Sequence, residues 1–203
     1  MRGVLITFEG VEGSGKTTQM RRLERRLRGL GHRVERTREP DGTPLGVAIR
    51  RLFEREPRPL TELFLFIAAR HQHVAETIRP WLAAGRVVLC DRYADASVAY
   101  QGYGHGLDLE LIRELNVRAT GGVLPDLTLL FDLDPAIGFR RRGGRQRDHF
   151  ERQASAFHRR VRRGYLEILR AEPKRVRLVD ASRPVGEVAR QVRELVGEHL
   201  HDA

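Results

Sequence analysis

Cysteine is almost absent from this chain, since Cys90 is the only one among 203 residues. A lone cysteine excludes an internal disulfide and any zinc site built from several thiolates. No apolar stretch approaches the roughly 18–20 residues that a membrane helix needs, and the N-terminus lacks the long apolar stretch and the cleavage site of a signal peptide. These absences predict a cytoplasmic protein without a membrane anchor.

Lysine is nearly as scarce. Lys16 and Lys174 are the only lysines, so the net charge of +10 comes almost entirely from arginine. A positive charge of this size raises the question of a polyanionic partner. The arginines are spread along the chain, however, and many occupy solvent-facing positions of predicted helices, such as Arg21 and Arg25. We interpret the charge chiefly as a solvated surface plus phosphate-binding groups, with a nucleic-acid-dependent ATPase as the alternative from a different class.

Short apolar runs alternate with helical stretches along the whole chain. Segments 4–8 and 86–91 are apolar and continuous, as expected for strands buried on both faces. Strands separated by helices of a dozen or more residues predict βαβ units, and hence an α/β fold with a parallel sheet. We expect five strands, at 4–8, 33–37, 86–91, 127–131 and 176–179, and helices from 17, from 44, and over 60–84, 108–120, 135–142, 151–171 and 184–200.

One glycine-rich segment carries the clearest chemical signal. Residues 10–17 match the pattern G-x-x-x-x-G-K-[ST], directly after a predicted strand and at the start of a predicted helix. Glycines let such a loop wrap closely around a phosphate, and the following helix offers its N-terminus to the anion. The lysine reaches the β- and γ-phosphates of ATP, and the Ser/Thr hydroxyl binds Mg²⁺. The predicted ATP-binding residues of this segment are Gly10, Val11, Glu12, Gly13, Ser14, Gly15, Lys16, Thr17 and Thr18.

Other features narrow the class of nucleotide-binding protein. The chain has no N-K-x-D motif of the kind with which GTPases read guanine, and strand 86–91 does not end in the paired acids of a motor ATPase. The strand ends instead in Asp91-Arg92, and an arginine directly after the acid suits a site that holds a second phosphate. These features favour a small-molecule kinase.

Five segments carry a more specific signal in combination. They are Phe8-Glu9-Gly10 with the glycine-rich loop, Thr37-Arg38-Glu39-Pro40, Phe66-Ile67-Ala68-Ala69-Arg70, Asp91-Arg92-Tyr93 continuing to Ala99-Tyr100-Gln101-Gly102, and the arginine-rich segment before the helix at 151–171. In this order and spacing they resemble the bacterial thymidylate kinases over essentially the whole chain. The resemblance implies a three-layer P-loop NTPase fold in a single domain over 1–203, with a lid at about 142–149. It also implies transfer of the ATP γ-phosphoryl group to dTMP with Mg²⁺, giving dTDP and ADP, in a homodimer.

The same resemblance assigns residues to the acceptor, dTMP. Arg38 and Arg92 resemble the pair that grips the acceptor phosphate, for which the planar guanidinium fork is suited. Phe66 resembles the aromatic side chain that stacks on thymine, and Arg70 the arginine that hydrogen-bonds a thymine carbonyl. Tyr100 resembles a residue that favours deoxyribose by crowding a 2′-hydroxyl. The implied dTMP-binding residues are Glu12, Arg38, Phe66, Arg70, Arg92, Ser97, Tyr100 and Gln101.

Further residues are assigned by resemblance to the metal, the adenine ring and the transferred group. Thr17 and Asp91 are expected beside Mg²⁺, and Glu12 beside the sugar 3′-hydroxyl or in the Mg²⁺ shell. Asp180-Ala181 resemble the turn that borders the adenine ring. The implied catalytic residues are Glu12, Lys16, Arg92 and the lid arginines Arg142, Arg145 and Arg147, which close over ATP.

Three positions depart from the family pattern. Asp41 stands where glycine is usual after Arg-Glu-Pro, Ala96 stands where serine is common, and His149 stands where arginine is common after the lid. None of them removes a group that the reaction requires. The rival interpretations are another nucleoside monophosphate kinase or a deoxynucleoside kinase of the same fold, and a non-catalytic nucleotide sensor.

Overall fold

A computed structural model describes residues 3–143, 153 and 155–201, except for the side chains of Arg142 and His201. Arg145, Arg147 and His149 of the predicted lid lie outside the described residues, as does the side chain of Arg142. Within the described ranges, no helix combines the length and the hydropathy that crossing a membrane requires.

Five parallel strands form the centre of the fold and confirm the predicted sheet. They are β1 (Val4–Glu9), β2 (Val34–Arg38), β3 (Val87–Asp91), β4 (Leu127–Asp132) and β5 (Val176–Asp180). Their order is β2-β3-β1-β4-β5, so the strand that leads into the glycine-rich loop is the middle one. Every residue of β1 is buried because helices cover both faces of the sheet, which explains its nearly continuous apolar character.

The α-helices connect and cover these strands, and several begin where the sequence supplies a cap. The Thr43 hydroxyl accepts a hydrogen bond from Gly46 N (3.1 Å), and the Asp108 carboxylate accepts one from Glu110 N (2.9 Å). Pro44 occupies the first turn of its helix, where an N–H group is not needed. The helices in the described residues are α1 (Lys16–Gly29), α2 (Pro44–Leu52), α3 (Pro59–His73), α4 (Arg79–Ala83), α5 (Ala94–Ser97), α6 (Leu109–Thr120), α7 (Pro135–Arg142), α8 (Ser155–Ala171) and α9 (Val185–His201).

Two helical stretches differ from the sequence prediction. The helix expected over 60–84 is interrupted, because a wider π-helical turn at Val74–Ile78 separates α3 from α4. Residues 94–104, to which the sequence assigns no helix, form α5 and a π-helical turn at Val98–Gly104. Nearly all of this second stretch is buried, so it lacks the alternation of polar and apolar faces that periodicity detects.

The carboxyl ends of the strands meet at one edge of the sheet. Parallel pairing places Asp91 at the end of β3 between Phe8 of β1 and Arg38 of β2. The loops that follow these three strands are therefore neighbours in space, although they are far apart in sequence. In an open parallel sheet this edge is where ligands bind.

Candidate active site

The glycine-rich loop leads from β1 into α1 and packs tightly against α7. Gly13 and Gly15 adopt left-handed backbone angles, with φ of 73° and 88°. A Cβ on Gly13 would lie 2.2 Å from the carbonyl oxygen of Gly138, and a Cβ on Gly138 would lie 2.1 Å from the carbonyl oxygen of Glu12. Only glycine fits at either of these two facing positions.

Lys16 is the first residue of α1, and its ammonium group turns back into the loop. It donates hydrogen bonds to Gly10 O (2.8 Å) and Val11 O (2.9 Å), and the side chain is buried. Burial, reinforced by the neighbouring Arg92 charge, lowers the pKa of Lys16 to about 8. The group therefore remains mainly charged at neutral pH, within a loop built to bind phosphate.

Thr17 and Asp91 join this loop to the end of β3. The Thr17 hydroxyl donates a hydrogen bond to Asp91 Oδ2 (2.9 Å). Both side chains present oxygen, the ligand type that Mg²⁺ prefers, and Mg²⁺ commonly takes only one or two carboxylates beside water and phosphate oxygens. The described residues contain no group of three or more His, Cys, Asp or Glu side chains that could hold a metal ion. The donor set thus fits Mg²⁺ shared with a nucleotide, and not a closed all-protein site.

Arg92 follows β3 in an unusual backbone conformation. Its φ of 69° lies in the left-handed region, which residues other than glycine rarely adopt. Two hydrogen bonds hold this turn: Arg92 N donates to Phe8 O (3.1 Å), and Tyr93 N donates to the Glu9 carboxylate (2.7 Å). Burial of Glu9, with the charge on Asp95 adding to the effect, raises the pKa of Glu9 to about 8. Strained backbone of this kind is concentrated at functional sites.

The Arg92 guanidinium lies within a cluster of charged and phenolic groups. It pairs with the Glu12 carboxylate and donates to the hydroxyl groups of Tyr100 (3.0 Å) and Tyr165 (3.2 Å). The Tyr100 hydroxyl donates in turn to Glu12 Oε2 (2.7 Å). Burial alone would raise the pKa of Glu12, but the charges on Arg92 and Lys16 outweigh it and hold that pKa below its usual value. Glu12 is therefore an ionised and compensated carboxylate, which explains how the loop tolerates it beside phosphate.

Arg70 lies in a separate, buried polar network, with 1% of its surface exposed. Its guanidinium donates to the Glu39 carboxylate (2.9 Å) and to the Tyr93 carbonyl oxygen (3.0 Å). It also donates to the Ser97 hydroxyl (3.0 Å) and to the Asn116 amide oxygen (2.7 Å). The protein itself therefore fixes the orientation of this guanidinium.

Helix α3 presents three of the site's side chains at intervals of four residues, Glu62, Phe66 and Arg70, which places them on one face. Phe66 is half-buried and stacks on Phe53, with ring centroids 4.6 Å apart. Glu62 is fully buried and accepts a hydrogen bond from the side-chain amide of Gln101 (2.7 Å). This face of α3 thus meets the π-helical turn after α5.

The loop after β2 supplies a more exposed group. The Arg38 side chain is 62% exposed and pairs with Asp41, whose other carboxylate oxygen lies 3.5 Å from Arg50 Nη1. Asp41 stands where glycine is usual in the family pattern, and here it holds two arginine side chains beside each other. Sequence reasoning missed Arg50, because a single arginine carries no signal of its own in a chain so rich in arginine.

A cavity of about 660 Å³ brings most of the predicted residues together. Its wall also includes Ala96, one of the family departures, and Arg50. The predicted residues that line it are Glu12, Gly13, Gly15, Lys16, Thr17, Thr18, Arg38, Phe66, Arg70, Asp91, Arg92, Ser97, Tyr100 and Gln101. Three residues of the glycine-rich loop, Gly10, Val11 and Ser14, are not among the described residues that line the cavity.

The predicted adenine turn is set apart from this cavity. Asp180 and Ala181 lie at the end of β5 and are not among the described lining residues. Arg141 of α7 connects the two places, since it lines the cavity and donates a hydrogen bond to Ala181 O (2.7 Å). The assignment of Asp180 and Ala181 to adenine stays a prediction.

Sequence reasoning missed several residues that hold the site in place, of which Glu39 also lines the cavity. Glu39, Asn116 and Glu62 hold predicted site residues through buried hydrogen bonds. Tyr165 reaches the Arg92 cluster from α8. The sequence offered one signal: Glu62 lies in a largely apolar helix segment, and a buried carboxylate requires a partner.

The arrangement is suited to phosphoryl transfer between two bound anions. One end offers the loop and Lys16 to a nucleoside triphosphate, and the same cavity offers Arg38 and Arg92 to a second phosphate. Phe66, with polar groups around it, offers a flat surface and hydrogen bonds of the kind that bind a base.

Comparison with known proteins points to one family. The family model described as thymidylate kinase matches residues 8–192. The thymidylate kinase of Deinococcus radiodurans is 50% identical over 204 residues, covering 98% of this chain and 99% of that protein. That of Solidesulfovibrio magneticus is 50% identical over 209 residues, covering 97% and 100%. The crystal structure of thymidylate kinase from Ehrlichia chaffeensis aligns with 97% of this chain and 99% of that one, with a TM-score of 0.80 and 34% identity. These similarities run through every element that builds the cavity, and the chain belongs to the thymidylate kinase family.

Proposed function

We propose that this site transfers the γ-phosphoryl group of ATP to dTMP, giving dTDP and ADP. The observation that carries the proposal is a single cavity with two places for phosphate, the loop with Lys16 and the arginines Arg38 and Arg92. A nucleotide sensor or an ATP-hydrolysing protein needs only the first of these phosphate sites, the loop with Lys16. The acceptor phosphate is already an anion, so the reaction needs no strong general base, and the protein acts by positioning and charge stabilisation.

On the donor side, residues 10–18 cradle the phosphates of ATP through their backbone N–H groups. Lys16 stabilises the charge that develops on the phosphate oxygens during transfer. The turn at Asp180 and Ala181 borders the adenine ring, next to the Arg141 side chain. Further positive charge over the transferred group comes from the arginines that follow Arg141 in sequence, namely Arg142, Arg145 and Arg147.

Thr17 and Asp91 would hold Mg²⁺ on this side of the cavity. Their 2.9 Å hydrogen bond keeps a hydroxyl and a carboxylate together at the cavity wall, and Glu12 lies in the same lining. When bound with ATP, Mg²⁺ neutralises charge on the β- and γ-phosphates.

On the acceptor side, Arg38 and Arg92 bind the dTMP phosphate. Arg92 is held in place for this by Glu12 and Tyr100, which also provide the groups nearest to a bound sugar. In this position Glu12 accepts a hydrogen bond from the 3′-hydroxyl, and Tyr100 disfavours a ribose. Phe66 stacks on thymine, while the polar groups at the edge of the base come from Arg70, Ser97 and Gln101.

The test is Mg²⁺-dependent release of ADP, measured in parallel with dTMP, dUMP, dCMP, dGMP, AMP and no acceptor. We expect a strong preference for dTMP and little release without an acceptor. Activity on another monophosphate would keep the mechanism but overturn the assignment of the base-binding residues. Turnover stimulated by DNA or RNA, and by no monophosphate, would support the nucleic-acid-dependent ATPase instead.

Arg92→Ala tests the acceptor site directly. Loss of a charge-assisted phosphate contact should raise the KM for dTMP by about tenfold or more, while the KM for ATP changes less. Arg118→Ala is the matched control, because Arg118 is exposed on α6 and, among the described residues, forms its ion pair with the exposed Glu114. An unchanged KM for dTMP in Arg92→Ala would contradict the assignment.

The same proposal includes a homodimer formed through α3. Leu60 and Phe64 are 44% and 50% exposed on this helix, and Ala68, one turn further on, is exposed as well. An exposed apolar stripe of this kind commonly marks an interface. Light scattering should give twice the monomer mass for the wild type and the monomer mass for Phe64→Glu. A wild type that remains monomeric at micromolar concentration would exclude the dimer.

A further inference from the structure

Gln101 and Ser97 lie four residues apart, and both line the cavity. Each of them has one hydrogen-bonding function occupied by the protein. Gln101 Nε2 donates to Glu62 Oε1 (2.7 Å), and Ser97 Oγ accepts from Arg70 Nη1 (3.0 Å). These two bonds determine which functions remain for a ligand.

The Gln101 amide has a donor end and an acceptor end of nearly the same shape, so its surroundings decide its orientation. The Glu62 carboxylate only accepts hydrogen bonds, and it therefore selects the NH₂ end. His105 Nε2 lies 3.3 Å from the same Glu62 oxygen, so nitrogen atoms of two side chains converge on this acceptor. The carbonyl oxygen lies at the other end of the amide, has no hydrogen-bond partner among the described residues, and is the acceptor that Gln101 offers to the cavity.

The Ser97 hydroxyl is oriented in the opposite sense. Its oxygen accepts from the Arg70 guanidinium, so its proton points away from Arg70. The described residues provide no acceptor for that proton. Ser97 therefore presents a donor to the cavity, near the acceptor that Gln101 presents.

This pair matches one class of pyrimidine edge. Thymine and uracil carry an N3–H donor beside a C4 carbonyl acceptor, whereas cytosine carries an N3 acceptor beside an amino donor. Cytosine in the same place would set acceptor against acceptor and donor against donor. A site that hydrogen-bonds its substrate rejects such a mismatch strongly, because buried polar groups are left unpaired.

We propose that Glu62 is a positioning residue for base selection. By holding the Gln101 amide, it makes the cavity selective for the imide edge of thymine or uracil over the edge of cytosine. The inference rests on the proposed function, in which Gln101 and Ser97 meet the base. Glu62 is not among the described lining residues, so its effect on the base passes through Gln101.

The test is the isosteric variant Glu62→Gln, whose side-chain amide can both donate and accept hydrogen bonds. The Gln101 amide then gains a second orientation, with its NH₂ group towards the base. We expect the ratio of kcat/KM for dTMP to that for dCMP to fall about tenfold or more. The ratio for dUMP against dTMP should stay unchanged, because both bases carry the imide edge.

Glu76→Gln is the matched control. It alters an exposed Gln–Glu pair, Gln72 with Glu76, at the end of the same helical stretch. It should change neither ratio. A role for Glu62 in stability alone would lower kcat/KM for dTMP and dCMP by the same factor, and an unchanged ratio would overturn the proposal.

A double variant, Glu62→Gln with Gln101→Glu, keeps the proposal testable if the single variant folds poorly. The carboxylate at position 101 then accepts from the amide at position 62 and still offers an acceptor to the base, so selectivity for dTMP over dCMP should return. A double variant no more selective than Glu62→Gln would count against the proposal. A wild type that does not prefer dTMP in the acceptor panel would overturn the proposed function instead, which separates the two failures.

Discussion

The cavity has a base end, around Arg70 and Glu39, and a phosphate end, around Lys16 and Arg38. The two ends differ in how far the protein encloses their charged side chains. At the base end, the side chains of Arg70 and Glu39 are 1% and 3% exposed, and their nearest atoms lie 2.6 Å apart. At the phosphate end, Arg38 is largely exposed, and Lys16 is hydrogen-bonded mainly to backbone carbonyls of its own loop. The charges of Arg70 and Glu39 are enclosed by the protein, whereas Arg38 and Lys16 leave their charges available to a ligand.

The difference reflects what each end must recognise. A base is identified by the direction of its donors and acceptors, so the groups that meet it must be fixed before it arrives, which lowers the cost of ordering them. A phosphate is recognised chiefly by charge and can be met from several directions. We therefore expect changes to Arg70 or Glu39 to affect stability, and changes to Arg38 or Lys16 to affect activity alone.

The largest effect is expected for Lys16→Ala. Removing the cation that stabilises the transferred phosphoryl group should lower kcat by about 10³-fold, as the loss of similar electrostatic contacts does in other enzymes. The free energy of unfolding should not fall, because burial already disfavours this charge in the folded state. Lys174→Ala is the control, since the only other lysine is exposed. A marked loss of stability in Lys16→Ala would contradict the expectation that this lysine contributes to activity alone.

The next largest effect is expected for Glu39→Gln at the base end. Removing one partner of a buried ion pair leaves the Arg70 charge uncompensated, which typically costs about 3–5 kcal/mol. The free energy of unfolding from urea titrations should fall by this amount. Glu114→Gln, which breaks the exposed pair with Arg118, should leave it within error of the wild type. Equal effects of the two variants would show that the base end is not a closed network.

A smaller effect is expected from pH. With a pKa of about 8, Lys16 carries its charge below that pH and loses it above, so ATP binding should weaken as the pH rises through 8. The value of kcat/KM for ATP should fall towards tenfold per pH unit above pH 8, which initial rates at low ATP concentration measure. The profile of kcat should be flatter, because bound phosphate stabilises the charged ammonium group. A flat kcat/KM up to pH 9.5 would contradict the role of Lys16.

The smallest effect is expected for Asp41→Gly, which restores the residue usual in the family. Asp41 competes with the acceptor phosphate for Arg38, but the Arg38 side chain is 62% exposed, and an ion pair with such a partner at the surface contributes at most about 1 kcal/mol. The KM for dTMP should therefore fall by no more than about fivefold, and the decrease should shrink at high salt. An increase in KM would show that Asp41 orients Arg38 for the phosphate.

The sequence predicted the parts of this molecule that rest on local pattern. Segments 4–8 and 10–17 placed the central strand and the phosphate loop, because strand burial and loop chemistry each leave a continuous signature. Arg50 and the contact between Glu39 and Arg70 depend on elements brought together only by the fold. The helical stretch at 94–104 was missed for a related reason, since burial on all sides removes the periodicity that marks a helix.

The facing glycines, Gly13 in the phosphate loop and Gly138 in α7, restrict how this chain can diverge. A Cβ atom added at either position would clash with backbone at or next to the other position. A substitution at one of them therefore cannot make room for a side chain at the other. Selection for nucleotide binding should thus act on Gly138 as strictly as on the motif itself. In a library of random variants that retain activity, we expect both codons to stay invariant, although only one of them belongs to the segment that a motif search would find.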